Sequence, residues 1–143
     1  MKCSVKMRRG FVNNVYGNER KQTMGENVIL DKTMDFAVRI VNLYKYLCTK
    51  HEYVMSKQLL RCGTSVGANA HEANSGQSKK DFLAKMYVAF KEIAETEYWL
   101  ILLVRTHYLT PHQGNNILVD CKEIRRILAS IIKTVKCRIA SQK

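Results

Sequence analysis

A chain of 143 residues, 46% hydrophobic and 25% charged, fits one globular domain with enough apolar mass for a real core. One proline and seven glycines are too few turn formers for a many-stranded β protein, and the longest apolar run, Tyr98 to Val104, is too short to span a bilayer. A formal net charge of +12, from 24 Lys and Arg against 12 Asp and Glu, favours anionic partners, nucleic acid first.

Residues 1–23 read as a basic arm with little periodicity, carrying six cations against the single acid Glu19, and are expected to be poorly ordered without a partner. Met24 offers a second plausible start, so the chain divides into this arm and a domain over residues 24–143. No secretory pattern precedes the domain. The five cysteines (Cys3, Cys48, Cys62, Cys121 and Cys137) are odd in number and have no zinc-ligand spacing. Free thiols in a reducing cytoplasm are the expectation, with no cofactor or metal.

Four helices follow in chain order. The first is predicted from Asp31, as N-cap, to about Thr49, with Phe36, Ala37, Ile40, Val41, Tyr44, Leu47 and Cys48 on its apolar face and Asp35, Arg39, Asn42 and Lys45 outside it. The second is predicted over about Ser56 to Ser75, burying Leu59, Cys62, Val66, Ala70 and Ala73. Two interior glycines each cost a helix about 1 kcal/mol against Ala and need a compensating reason. Gly63, Gly67 and Ala70, with Asn74, recur at steps of four, three and four, so they form a small-residue stripe that lets a neighbouring helix come close. Beside it Arg61, Ser65, Asn69 and Glu72 form a polar stripe, expected as a buried hydrogen-bonded network within the bundle or between subunits.

The third helix is predicted from Ser78, with Asp81 completing a capping-box-like start, to about Tyr108. It is apolar on two sides. One stripe holds Phe82, Met86, Ala89, Ile93, Leu100 and Leu103, and another Leu83, Tyr87, Phe90, Ala94, Tyr98 and Ile101. Trp99 shares a third line with Glu92 and Glu95, on the face that should be wet. That placement predicts an oligomer interface at Trp99, Tyr98, Glu92 and Glu95. The fourth helix is predicted to start at Thr110 as N-cap with Pro111 at N1. Ile117, Cys121, Ile124, Leu128, Ile131 and Val135 form its a/d seam. Its back carries a basic ridge of Lys122, Arg126, Lys133 and Lys136, about 21 Å long at 1.5 Å per residue, flanked by Arg125 and Arg138. Short connections between four helices imply an all-α, antiparallel up-and-down bundle.

Candidate catalytic patterns dissolve on this reading. Gly63-x-Ser65-x-Gly67 matches a nucleophile elbow in letters, but the elbow needs a strand before its turn, and here the pattern lies inside a helix. His51, His71, His107 and His112 lack any paired helical spacing. Glu92 and Glu95 stand together without a histidine, so pairing to Lys or Arg across a subunit boundary, or solvation, is expected.

The segments DFAVRIVNLYKYL (35–47), SKQLLRCGTSVGANAHEA (56–73) and QSKKDFLAKMYVAFKEIAETEYWLILL (77–103) resemble the bacterial four-helix-bundle proteins encoded in 23S rRNA intervening sequences. The middle segment is the most specific, with a leucine pair, an arginine, Gly-x-Ser-x-Gly-x-Asn and Glu-Ala in one register. The resemblance covers most of residues 30–110, reaches the fourth helix mainly in type, and leaves the arm outside. It implies a small cytosolic bundle that assembles as a ring-like homopentamer, no known catalytic activity, and an association with RNA suggested by the family's genetic setting. It carries over Arg61, Ser65, Asn69 and Glu72 as motif residues of unknown role. A related bundle is the accessory protein of diversity-generating retroelements, a basic pentamer that binds nucleic acid and works with a reverse transcriptase. The start Thr110-Pro111-His112-Gln113 is similar to that group.

Residues and resemblance together predict a non-enzymatic oligomer that binds nucleic-acid phosphates through Lys122, Arg125, Arg126, Lys133, Lys136 and Arg138. The competing expectation is a scaffold for another protein, such as a reverse transcriptase.

Overall fold

The computed structural model describes residues 24–141, with side-chain surroundings from residue 28 onward. The basic arm of residues 1–23 lies outside the described residues. Four helices follow one another: α1 (Met24–Thr49), α2 (Met55–Asn74), α3 (Lys79–Arg105) and α4 (Pro111–Ala140). No strand occurs among the described residues. Helix α1 packs on α2 and α4, and α3 packs on the same two, while the diagonal pairs do not meet. With short connections this is a square antiparallel bundle. None of its helices is long and apolar enough to cross a membrane.

One core runs the length of the square. Phe36, Ile40, Leu47, Leu59, Met86, Ile93, Leu100, Leu103, Ile124 and Leu128 are all fully buried in it. Burying one such side chain stabilises the fold by roughly 1.5–3 kcal/mol. The small residues of α2 set the distance to α1. A Cβ on Gly63 would sit 2.9 Å from two side-chain carbons of Ile40, and one on Gly67 would sit 3.3 Å from the Thr33 carbonyl oxygen. The helix-propensity cost of both glycines is therefore exchanged for close packing. A third close approach, unmarked in the sequence reading, lies at the start of α4, where a Cβ on Gly114 would collide with Val104 of α3.

Local chemistry decides where each helix begins. Ser78 caps α3 by accepting from the Asp81 amide at 3.1 Å, and its hydroxyl donates to the Asp81 carboxylate at 2.7 Å. Thr110 and Gln113 form a reciprocal capping box at α4, with Pro111 in the first turn. Helix α2 differs, because no serine or threonine caps it. Instead the buried Glu52 carboxylate accepts from the amides of Val54, Met55 and Ser56 at 3.0, 2.8 and 2.6 Å. Burial by itself would raise the Glu52 pKa, but the Met55 and Ser56 amides, the Ser56 hydroxyl and the Val54 amide outweigh it and hold it below the usual carboxylate value.

Helices α1 and α3 end alike. The amides of His51 and Glu52 return to Cys48 and Leu47, and those of His107 and Tyr108 to Val104 and Leu103. Both are Schellman closures, and each places a histidine, φ 59° at His51 and 64° at His107, where glycine is usual.

Four expectations are corrected here. Helix α1 starts at Met24, not Asp31. The turn before Asp31 holds the fully buried Ile29, whose carbonyl accepts the Thr33 hydroxyl, so it belongs to the core. Helix α3 stops at Arg105 rather than Tyr108, because the left-handed His107 breaks it. On α1, Leu43 is buried and Ala37, Val41, Tyr44 and Cys48 are only half-buried. On α4 the buried stripe passes from Leu128 to Ile132, leaving Ile131 and Val135 half-buried. A helix of 3.6 residues per turn drifts about 20° per heptad from a strict a/d seam, and by its third heptad α4 has turned a neighbouring position inward.

Candidate nucleic-acid interface

Helix α4 carries two acids, Asp120 and Glu123, and both face α1. Asp120 accepts from Arg39, which also reaches the Asn116 side chain, and Glu123 pairs with Lys32 at 3.0 Å. Most cations of α4 lie away from that flank. Arg125 pairs with Glu97 of α3 at 2.9 Å and lies 5.6 Å over the Phe90 ring, so it is tied down. Lys122, Arg126, Lys133 and Lys136 are exposed on the α3 side and form no ion pair among the described residues. Arg138 is exposed too, but two residues beyond Lys136 it lies about 200° round the helix, on the opposite flank. Helix α4 is thus segregated. Its acids are matched by α1, while four cations away from that flank have no ion-pair partner among the described residues.

The polar stripe of α2 resolves into separate contacts rather than a single network. Arg61 is exposed and reaches across to α3, 2.5 Å from Glu95 and 3.7 Å from Glu92. The hydrogen bond and charge of Glu95 raise its pKa further. Asn69 donates to the Ser65 carbonyl of its own helix at 2.9 Å. Glu72, exposed, pairs with Lys85 of α3. Arg61 and Glu72 therefore fasten α2 to α3 at the surface, while Ser65 and Asn69 make local contacts. Of the small residues, Gly63, Gly67 and Ala70 are buried.

Trp99 is half-buried. Its indole donates to Glu95 at 3.2 Å, and its ring meets Tyr98 edge-on at 5.1 Å between centroids. That indole bond, with the hydrogen bond and charge of Arg61, outweighs burial and holds the Glu95 carboxyl below its ordinary pKa. Glu92 is less well served, because its buried Oε2 has no hydrogen-bond partner among the described residues, only the Arg61 guanidinium 3.7 Å away. Around this cluster the outer surface of α3 exposes Val88, Tyr98 and Ile101.

The two buried thiols are quiet. Burial raises the Cys62 thiol and pushes Cys121 up to about 12, so neither is a thiolate near neutrality. Among the described residues no group of three or more His, Cys, Asp or Glu is placed to hold a metal ion. Sequence reasoning missed Glu97, which removes Arg125 from the free ridge, and Arg39, which was placed on a solvated face. Both act on partners 28 and 81 positions away, beyond the reach of any local pattern.

Residues 25–130 match the 23S rRNA-intervening sequence protein family. The chain is also similar to a crystal structure from Bacteroides thetaiotaomicron VPI-5482, described as a protein of unknown function from the S23 ribosomal protein family. The two are 56% identical with a TM-score of 0.76, over 77% of this chain and 99% of that one. No curated protein matches the chain.

Proposed function

The chain belongs to the 23S rRNA-intervening sequence protein family, and from that premise we propose that it is a non-enzymatic, oligomeric protein that binds nucleic-acid phosphates through the free flank of α4. The observation that carries this reading is the charge segregation of α4, where Lys122, Arg126, Lys133 and Lys136 are exposed with no ion-pair partner among the described residues while both acids are neutralised by α1. Cations left unpaired on one flank make a continuous anion-attracting strip, and contacts of this kind tolerate any sequence. Arg125 and Arg138 contribute to the field around the strip.

Assembly as a ring-like homopentamer would repeat the strip around an axis and turn weak contacts into avidity. Support for self-association comes from the outer surface of α3, where Val88, Tyr98 and Ile101 are exposed and Tyr98 meets the half-buried Trp99.

The test is binding of the full chain to single-stranded and duplex RNA across a salt series. Four phosphate contacts predict a log–log slope of about −3 on a single strand. Lys122→Glu with Arg126→Glu should weaken binding and flatten the slope by about 1.4 without changing the oligomer's mass. An unaltered affinity removes the strip from the reading. No binding even at low salt shifts it to a scaffold for another protein, such as a reverse transcriptase.

A further inference from the structure

A strip that recognises only phosphates needs no apolar cleft beside it, yet one is present. Tyr87 and Phe90 of α3, with Ala129, Ile132, Lys133 and Lys136 of α4, line an open groove of about 380 Å3. A second hollow of about 290 Å3 continues it past Leu83 towards Ile139 and shares Lys136. The first groove is at the small end of ligand pockets, which span roughly 300–1,000 Å3, and has room for a planar ring rather than a large cofactor.

Its chemistry is two-sided. The floor is aromatic and aliphatic, with Ile132 almost buried and Phe90 half-buried under the Arg125 guanidinium. Tyr87 stands at the rim, 37% exposed. Lys133 and Lys136 are also on the rim, and among the described residues no acid lines either hollow. Three residues apart on one helix, the two lysines are near neighbours and can reach successive phosphates. Flat apolar walls between cations suit a base with its flanking phosphates, and the absence of carboxylates disfavours a basic peptide.

We propose that this groove takes an unstacked base of a single-stranded polynucleotide against Tyr87 and Phe90, while Lys133 and Lys136 hold the phosphates on either side of it. The inference rests on the phosphate-binding reading and deepens it. The strip alone treats duplex and single strand alike, whereas the groove prefers the strand whose bases are free to leave the stack.

The experiment uses the full chain, a single-stranded RNA carrying 2-aminopurine, and a duplex of equal length. The wild-type protein should quench the 2-aminopurine fluorescence and bind the single strand more tightly than the duplex. Tyr87→Ala should lose quenching and at least about fivefold in single-strand affinity, the low end of what stacking on an aromatic ring contributes, with duplex affinity unchanged. Ala129→Leu fills the same groove from an exposed position with a good helix former, so it tests the site without threatening the fold. The paired Lys122→Glu and Arg126→Glu change should weaken both ligands. Equal wild-type affinity for both ligands, absent quenching, or full single-strand affinity in both groove variants overturns the groove and leaves the strip standing. If only the groove variants matter, Lys122 and Arg126 drop out of the strip and the groove stands with Lys133 and Lys136. Binding to neither RNA overturns both.

Discussion

The seam between α1 and α2 and the seam between α3 and α4 are built to opposite ends. At the first, Gly63 and Gly67 bring α2 against Ile40 and Thr33 so closely that a single added methyl group would crowd them. At the second, Gly114 makes a similar close approach to Val104 near the connecting loop, but the far end holds Tyr87, Phe90 and two lysines around an open groove. Side-chain size sets the difference. Minimal residues draw helices together and leave no room for a ligand, while aromatic rings and long cations fill the outside of a seam without closing it. The first seam should answer to stability measurements and the second to binding.

Perturbing the close seam should have the largest effect. Gly67→Leu forces a branched side chain onto the α1 backbone and should cost about 3 kcal/mol, lowering the melting temperature by roughly 10 °C. A wild-type melt would mean that the small-residue stripe is not a packing surface. Next comes the connection that enters this seam. Glu52→Ala strands backbone amides at the start of α2 and should cost about 1–3 kcal/mol in denaturant unfolding. The wild-type contribution also depends on pH. The folded Glu52 pKa lies below the unfolded value near 4.5, so its stabilisation is full above that pH and is lost as the pH falls through the folded value. Glu52→Gln should therefore show a smaller loss of stability on acidification than the wild-type protein.

A smaller effect of opposite sign is expected at the end of the open seam's first helix. His107→Gly relieves a left-handed residue and should raise stability by about 0.5–1 kcal/mol, after allowing for the greater freedom of glycine in the unfolded chain. An unchanged or lower melting temperature would show that the imidazole makes compensating contacts. Smallest in stability is the strip itself. Lys133→Glu should leave the unfolding free energy within about 0.5 kcal/mol of wild type, because the lysine is exposed and unpaired, yet it should weaken RNA binding. A large stability loss there would erase the division of labour between the two seams.

Much of this fold was legible before any coordinates. Ser78 and Thr110 marked their helices because a cap involves residues only three positions apart. The buried set of α2, Leu59, Cys62, Val66, Ala70 and Ala73, followed from its period. The start of α2 was less legible, since a glutamate three residues ahead of the helix is not a usual cap signal and works here only because the Schellman turn at His51 folds it back. The candidate site was half legible. Periodicity collected the cations of α4 on one ridge, but it could not tell that Arg125 is held by Glu97 or that Tyr87 and Phe90 border Lys133 and Lys136.

By itself, then, the sequence determined what is local: four amphipathic helices, the caps of α3 and α4, the small-residue stripe and the basic ridge, since each arises from residues within one or two turns of each other. Only the tertiary structure decided which of those charges are left over. Neutralisation is a contact between helices, as when α1 meets Asp120 and Glu123 or α3 meets Arg125. A free cation is defined by the partners that long-range packing does not bring to it, and no period along a single helix contains that information.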